Sequence, residues 1–395
     1  SAMKHTIAVV TSTRAEYGLL RGVLQALYTD PEVQLQLLVT GTHLSKAHGQ
    51  TVSEIEADGI PIAARLPILP ETGTEPVAET IARTVQVFDA CFAQNAPDAL
   101  LLLGDRFEIF AVAVAAAARH IPIAHISGGD VTLGAADEYY RHCITKMASL
   151  HFPSCVESAQ RLVRMGEEPR RVLCVGGLGN ENIRKLPKMS REKLCESTGL
   201  PLQQPFGLVT YHPETAAQNN PAAQADALIA AMQNTPGIYW LITGSNADEG
   251  GRICTEKMQA FAASQPQKAG FVQSLGLKRY LSAMALAALV AGNSSSGVVE
   301  TPSFGVPTVN IGSRQAGRQI CENVLCCPAE QTAIHAAIAK ALSPAFAAAA
   351  KAARSPYNGG DTAQKICTAL KNALQSGLLR TVKSFYDGEV PSFTL

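Results

Sequence analysis

The sequence predicts an α/β protein built from two Rossmann-like, doubly wound domains facing a cleft, and three observations predict it. At 395 residues the chain exceeds what one hydrophobic core usually serves. Short apolar runs bounded by Gly and Pro alternate with helical patterns in two successive series, as βαβ units do. Between the series, residues 181–205 turn charged and loop-like, the composition of a domain boundary. The expected division is 1–185, 206–375, and a tail, 376–395, that packs back on the first domain.

In the first series, 7–11 reads as a strand that passes through Thr11, Ser12, Thr13 and Arg14 into a helix over 17–27. Residues 33–40 form a second strand, followed by a helix containing His48. His43 and His48 stand i, i+5 and share no helix face, which argues against a metal pair. Residues 77–93 form a helix with Ile81, Val85, Val87 and Phe88 toward the sheet. The runs 99–103 and 121–126 read as buried parallel strands, and 150–152 and 172–175 continue the sheet. The second series places strands at 206–211, 238–243, 271–272, 288–291, 306–311 and 324–326. Helices at 345–353 and 362–376 complete it.

Bulk composition excludes several functions. Lys plus Arg equals Asp plus Glu at 33 each, so neither nucleic acid nor an anionic membrane is an expected partner. No apolar run approaches the ~20 residues of a membrane span. Ten cysteines without CxxC spacing read as reduced core thiols, which points to the cytoplasm.

Ligands of open α/β sheets sit beyond the carboxyl ends of the strands, and polar residues gather there. The 99–103 strand delivers Asp105 and Arg106, and the next delivers His125, Ser127 and Asp130. A helix then opens with Asp137, Glu138, Arg141 and His142, whose i, i+4 pairs occupy adjoining strips of its surface. In the second series the strand ends carry His212, then Asn246, then Ser294, Ser295 and Ser296 ahead of Glu300, and finally Arg314. Small hydroxyls at a helix start suit a diphosphate, and Glu300 suits a ribose hydroxyl pair. There is no GxGxxG and no GxxxxGK[ST], which argues against dinucleotide and P-loop chemistry.

RAEYG at 14–18, GDRFE at 104–108, HISGGD at 125–130, DEYYRH at 137–142, YHPET at 211–215, GSNAD at 244–248, GNSSSG at 292–297 and GSRQAGR at 312–318 together resemble the hydrolysing UDP-N-acetylglucosamine 2-epimerases. The resemblance is nearest to those of capsular sialic acid synthesis, of the kind found in Neisseria, and spans about residues 4 to 390. It implies the glycosyltransferase-B architecture, UDP-N-acetylglucosamine as substrate, no redox cofactor, and a homodimer or dimer of dimers. Asp105, Asp130, Asp137, Glu138 and His212 would be catalytic. Arg14, Arg106, His142, Asn246, Phe271, Ser294, Ser295, Ser296, Glu300 and Arg314 would bind substrate and UDP. Asp105 and Asp137 are the favoured catalytic pair. Where related enzymes read His-x-Glu-Gly-Gly-Glu, this chain has Ser127 and Asp130, so one acid is absent and the other is shorter. The rival readings are a non-hydrolysing epimerase, a UDP-sugar glycosyltransferase of the same architecture, and a silent sugar-nucleotide sensor.

Overall fold

The computed structural model describes residues 3–46, 49, 51–71, 75–133, 137–212, 214, 220–244 and 249–395, the last from residue 251 onward with side chains. The chain divides into two compact units, residues 1–182 with 357–395, and residues 183–356.

The first unit holds a six-stranded, all-parallel sheet of β1 (His5–Thr11), β2 (Val33–Thr40), β3 (Ile62–Leu66), β4 (Ala99–Leu103), β5 (Ile123–Ile126) and β6 (Leu150–Phe152). Its order is β3-β2-β1-β4-β5-β6, which puts the ends of β1, β4 and β5 side by side. Every residue of β4 is buried. Ala99, Leu101 and Leu103 enter one cluster with Ile7, Val9, Leu20 and Leu24, while Leu100 and Leu102 enter a second with Ala8, Val10 and Phe88. A parallel strand covered on both faces demands such a run of apolar residues.

Several elements differ from the sequence reading. The Thr362–Gln375 helix belongs to the first unit, where Ile366, Cys367 and Leu370 join the Ile7 cluster. Its amphipathic stripe announces a face to bury and not which core receives it. Residues 172–175 add only an isolated bridge, His151 to Val172, and β3 is an edge strand that the reading omitted. In the Val77–Gln94 helix the buried row is Thr80, Thr84, Phe88 and Phe92. Thr84 satisfies its hydroxyl on Thr80 O at 2.7 Å, so a threonine can line a buried face. All ten cysteines are free, yet Cys143 and Cys326 are exposed and only Cys155, Cys254 and Cys367 are buried. No single helix among the described residues is long and apolar enough to cross a membrane.

The C-terminal tail fastens onto this unit. Lys383 Nζ donates to Lys146 O and Ala148 O, both at 2.8 Å, and to the buried Glu167 Oε1 at 2.7 Å. It thereby caps the carbonyl end of the Asp137–Met147 helix from more than 230 residues away. Charged donors at a helix C-terminus satisfy orphan carbonyls and the helix dipole together. Lys383→Met is expected to lower unfolding stability by about 1–3 kcal/mol, read as a shifted urea midpoint, and an unchanged midpoint would contradict this role.

The second unit repeats the design with β7 (Phe206–Thr210), β8 (Tyr239–Thr243), β9 (Ala269–Val272), β10 (Leu289–Gly292), β11 (Thr308–Ile311) and β12 (Val324–Cys327). The all-parallel order is β12-β11-β10-β7-β8-β9. Trp240, fully buried, donates its indole N–H to Met232 O at 3.1 Å and anchors the core between β8 and the Pro221–Gln233 helix.

Candidate active site

At the carboxyl ends of β1, β4 and β5, Arg141 is the organising residue. It sits one turn into the Asp137–Met147 helix and is 3% exposed. Its Nε donates to Asp105 Oδ2 at 3.1 Å and its Nη2 makes a second, shorter bond to the same oxygen. Its Nη1 donates to Glu138 Oε2 and to the Asp130 carbonyl, both at 2.9 Å, and its Nη2 reaches Thr132 Oγ1 at 3.0 Å. One guanidinium thus holds two of the acids read from the sequence by their carboxyls and a third, Asp130, by its backbone carbonyl. Only a planar fork of five donors does this.

The remaining bonds set the charge of each acid. Glu138 accepts the Thr132 N–H at 2.7 Å and faces His142 Nε2 at 2.8 Å. Burial would raise its carboxyl, but these donors and Arg141 outweigh it and hold Glu138 below its ordinary value. Asp137 goes the other way. Burial, then the charge of Asp105, push it up against the pull of Arg106 and Arg141. Two neighbouring carboxyls with opposed shifts are the arrangement that acid–base chemistry uses. Asp130 Oδ1 accepts from Ser158 Oγ at 2.7 Å. His125 is fully buried and neutral, lowered to about 4 by burial, and its Nε2 lies 2.7 Å from Gly104 O.

The β5 turn carries strain. Ser127, at the position where the resemblance expected an acid, has φ 69°, unusual for a residue other than glycine. Two residues on, Gly129 has φ 83°, and a Cβ there would meet Ser158 O at 2.4 Å. Only glycine lets the turn approach the Val156–Arg164 helix this closely.

Not every expected residue joins the cluster. Arg14 begins the Arg14–Thr29 helix, is largely exposed, and pairs with Glu54 at 3.0 Å. Arg106 is half-exposed and donates its Nε to Glu108 at 2.6 Å.

In the second unit the ends of β7, β10 and β11 are tied by Asn293, which is 1% exposed. His212 N donates to Asn293 Oδ1 at 2.8 Å, Asn293 Nδ2 donates back to His212 O at 2.5 Å, and Gln315 Nε2 donates to Asn293 O at 3.0 Å. Glu214 accepts the backbone N–H groups of Ser313 and, at 3.1 Å, Arg314. Gly312, at φ 82°, makes room for that carboxylate, since a Cβ would lie 2.2 Å from Glu214 Oε1. Ser294 caps the Ser295–Val299 helix through Ser296 N, and Ser296 Oγ lies 2.8 Å from both Ser294 Oγ and Tyr280 Oη. That helix has five residues, so a long helix dipole is not what the serine turn offers. It offers hydroxyl and N–H donors. Glu300 stands at the end of this turn, its carboxyl pushed up to about 7 by burial. Phe271 is a β9 residue that packs partly against the core. Asn246 lies outside the described residues.

Sequence reasoning named Arg141 in the acid helix without assigning it a role, and missed Asn293 and Glu214 as organisers. The i, i+4 spacing from Asp137 was the available signal for Arg141; for the other two the partners stand 81 and 99 residues away.

A family model for UDP-N-acetylglucosamine 2-epimerase matches residues 25–371. The Escherichia coli polysialic acid biosynthesis protein P7 is 35% identical, over 96% of this chain and 97% of its own length. A hydrolysing GDP/UDP-N,N'-diacetylbacillosamine 2-epimerase from Campylobacter jejuni is also 35% identical, over 82% of this chain and 84% of its own. The Neisseria meningitidis UDP-N-acetylglucosamine 2-epimerase is a more distant relative, at 28% over 90% and 91%. Among solved structures, a Listeria monocytogenes protein described as a UDP-N-acetylglucosamine 2-epimerase superposes with a TM-score of 0.80 at 18% identity, covering 99% of this chain and 100% of that one. The Neisseria enzyme bound to UDP-N-acetylglucosamine gives 0.77 at 15%, covering 93% and 100%. These structures show the same two-domain, glycosyltransferase-B-like α/β fold.

Proposed function

The chain belongs to the UDP-N-acetylglucosamine 2-epimerase family, and from that premise we propose that it is a hydrolysing epimerase. It converts UDP-N-acetylglucosamine and water to N-acetylmannosamine and UDP, the opening step of sialic acid synthesis. The observation that carries this reading is the Arg141-centred cluster, in which Asp105 accepts two guanidinium bonds beside a carboxyl, Asp137, that burial pushes up.

In this mechanism one carboxylate, Asp105, takes the C2 proton of the sugar while the bond from C1 to the diphosphate oxygen breaks. The products are 2-acetamidoglucal and UDP. Water then adds at C1, and a proton delivered to C2 from the opposite face, by Asp137, gives N-acetylmannosamine. Each positioned proton transfer is worth roughly 100-fold to 10,000-fold. Arg106 offsets charge developing on the departing diphosphate, and Asp130, Glu138 and His142 orient the sugar. In the second unit His212, Ser294, Ser295, Ser296 and Arg314 hold the diphosphate, the Phe271 backbone faces the uracil, and Glu300 takes the ribose hydroxyls. Those hydroxyls would donate to a carboxylate that burial otherwise disfavours.

The hydrolysing relative from Campylobacter favours a second reading, in which the sugar is N,N'-diacetylbacillosamine. Proton NMR of the reaction in deuterated water separates these. Free UDP with N-acetylmannosamine deuterated at C2 is the expected result from UDP-N-acetylglucosamine. A C2 proton retained on the released sugar would exclude elimination. UDP-N-acetylmannosamine would mean the non-hydrolysing reaction. Inert UDP-N-acetylglucosamine beside a consumed diacetylbacillosamine nucleotide would move the substrate to the second sugar.

A further inference from the structure

Beside the Asp105–Arg106 turn lies a group that the mechanism above does not use. Glu16, on the first helix, and Glu108, on the Phe107–Ala118 helix, are 8% and 3% exposed. Ser12 Oγ stands between them, 2.7 Å from Glu16 Oε1 and 3.1 Å from Glu108 Oε1. Glu108 Oε1 also holds Arg106 Nε at 2.6 Å. The second oxygen of each carboxyl is buried and has no hydrogen-bond partner among the described residues.

Helix capping accounts for only part of this. Thr13 and Glu16 form a capping box, and Glu16 Oε1 accepts the N–H groups of Ser12 at 2.8 Å and Thr13 at 3.2 Å. A capping box asks for Glu or Gln at this position and says nothing of Glu108. A hydroxyl carries one hydrogen. Were both carboxyls ionised, Ser12 would satisfy one and present a lone pair to the other, in a place where unpaired charge is costly. A single added proton resolves the conflict: with one proton between the two carboxyls the pair carries one negative charge, and Arg106 stays paired with Glu108.

We propose that Glu16 and Glu108 share one proton through Ser12, and that this relay positions the Arg106 guanidinium for the sugar nucleotide, which makes Glu16 a positioning residue. The second half rests on the function proposed above. Burial pushes the Glu16 carboxyl up to about 7 against the Ser12 donors, with Glu108 raising it further and Arg106 lowering it. Among the described residues those are the charged groups that face it, both from the start of the Phe107–Ala118 helix. On its own helix Arg14 is turned to Glu54. His43, after β2, is neutral, lowered to about 4 by burial, and lies between Thr11 and Thr51. As pH rises through neutrality Glu16 ionises, the pair gains a second negative charge, and Arg106 is drawn toward it and away from the ligand.

Glu16→Gln preserves the capping box and removes the ionisation. In infrared difference spectra in deuterated water, the wild-type protein is expected to show a protonated-carboxyl C=O band that bleaches between about pH 5.5 and about pH 8.5, and the variant to lack it. No such band in the wild type, or the same titrating band in the variant, would overturn the shared proton. In kinetics the wild-type kcat/KM is expected to fall about tenfold across that range, whereas the variant's stays flat. An identical fall in both proteins would overturn the positioning role. Ser12→Ala, which leaves the cap residues in place, is the second variant: loss or displacement of the band supports the relay, and an unaltered band refutes it. If no UDP-sugar is turned over, the functional reading fails, while the infrared band still decides the proton.

Discussion

Asp105→Asn is expected to reduce turnover of the UDP-sugar at least ~100-fold while UDP affinity stays within a few-fold. The amide is isosteric and still accepts from Arg141, so the cluster keeps its shape. What it loses is the ability to take a proton from C2. Asp105 is held by two guanidinium bonds from Arg141, which fixes the side chain that the proposed mechanism brings to C2. UDP, by contrast, is assigned to the second unit. Single-turnover kinetics and calorimetry read the two quantities separately. Unimpaired turnover would remove Asp105 from the chemistry, and a matched loss of UDP affinity would mean that it acts in binding.

Arg141→Ala is expected to cost about 3–5 kcal/mol of stability, because it removes the counter-charge from a set of partly buried acids, and to abolish turnover as well. Asp105 and Glu138 would both lose their ion-pair partner, and the Asp130 carbonyl would lose a donor. The pH dependence has a definite sign. Glu138 sits below its ordinary 4.5, so its contribution is present above that value and is lost as pH falls through the lowered one. The gap between wild type and variant should therefore be widest near neutrality and narrow in acid. Urea denaturation at several pH values checks this. A gap that widens in acid, or a variant as stable as wild type at neutral pH, would contradict the ion-pair account.

Much of the molecule is legible from local sequence. The buried strands 99–103 and 121–126 declare themselves because a parallel strand covered on both faces must be apolar throughout. Asp105, Asp130, Asp137 and Glu138 are legible as a cluster because they follow those strands. The less legible parts share one cause. The Thr362–Gln375 helix shows an amphipathic stripe, but the cluster it completes is built from residues between 7 and 60 and between 99 and 178. Thr80, Thr84 and Phe92 share the buried row of their helix with the expected Phe88, while Val85 is only partly buried, since packing and not hydropathy alone ranks the faces.

The sequence by itself determined the class of fold, the two series of β-α units, the polar residues at their strand ends and, through its motifs, the family. Each of these depends on neighbours within a few tens of residues, where periodicity and turn chemistry operate. Tertiary structure alone decided that Arg141 is buried at the centre of the acids, that Asn293 ties three strand ends, that Lys383 caps the acid helix, and that Glu16 meets Glu108 across one serine. Those contacts join residues separated by as much as 237 positions, and no local pattern encodes which distant partner will satisfy a buried charge. The fold selects it, because a buried polar group without a partner costs more than the loop that brings one.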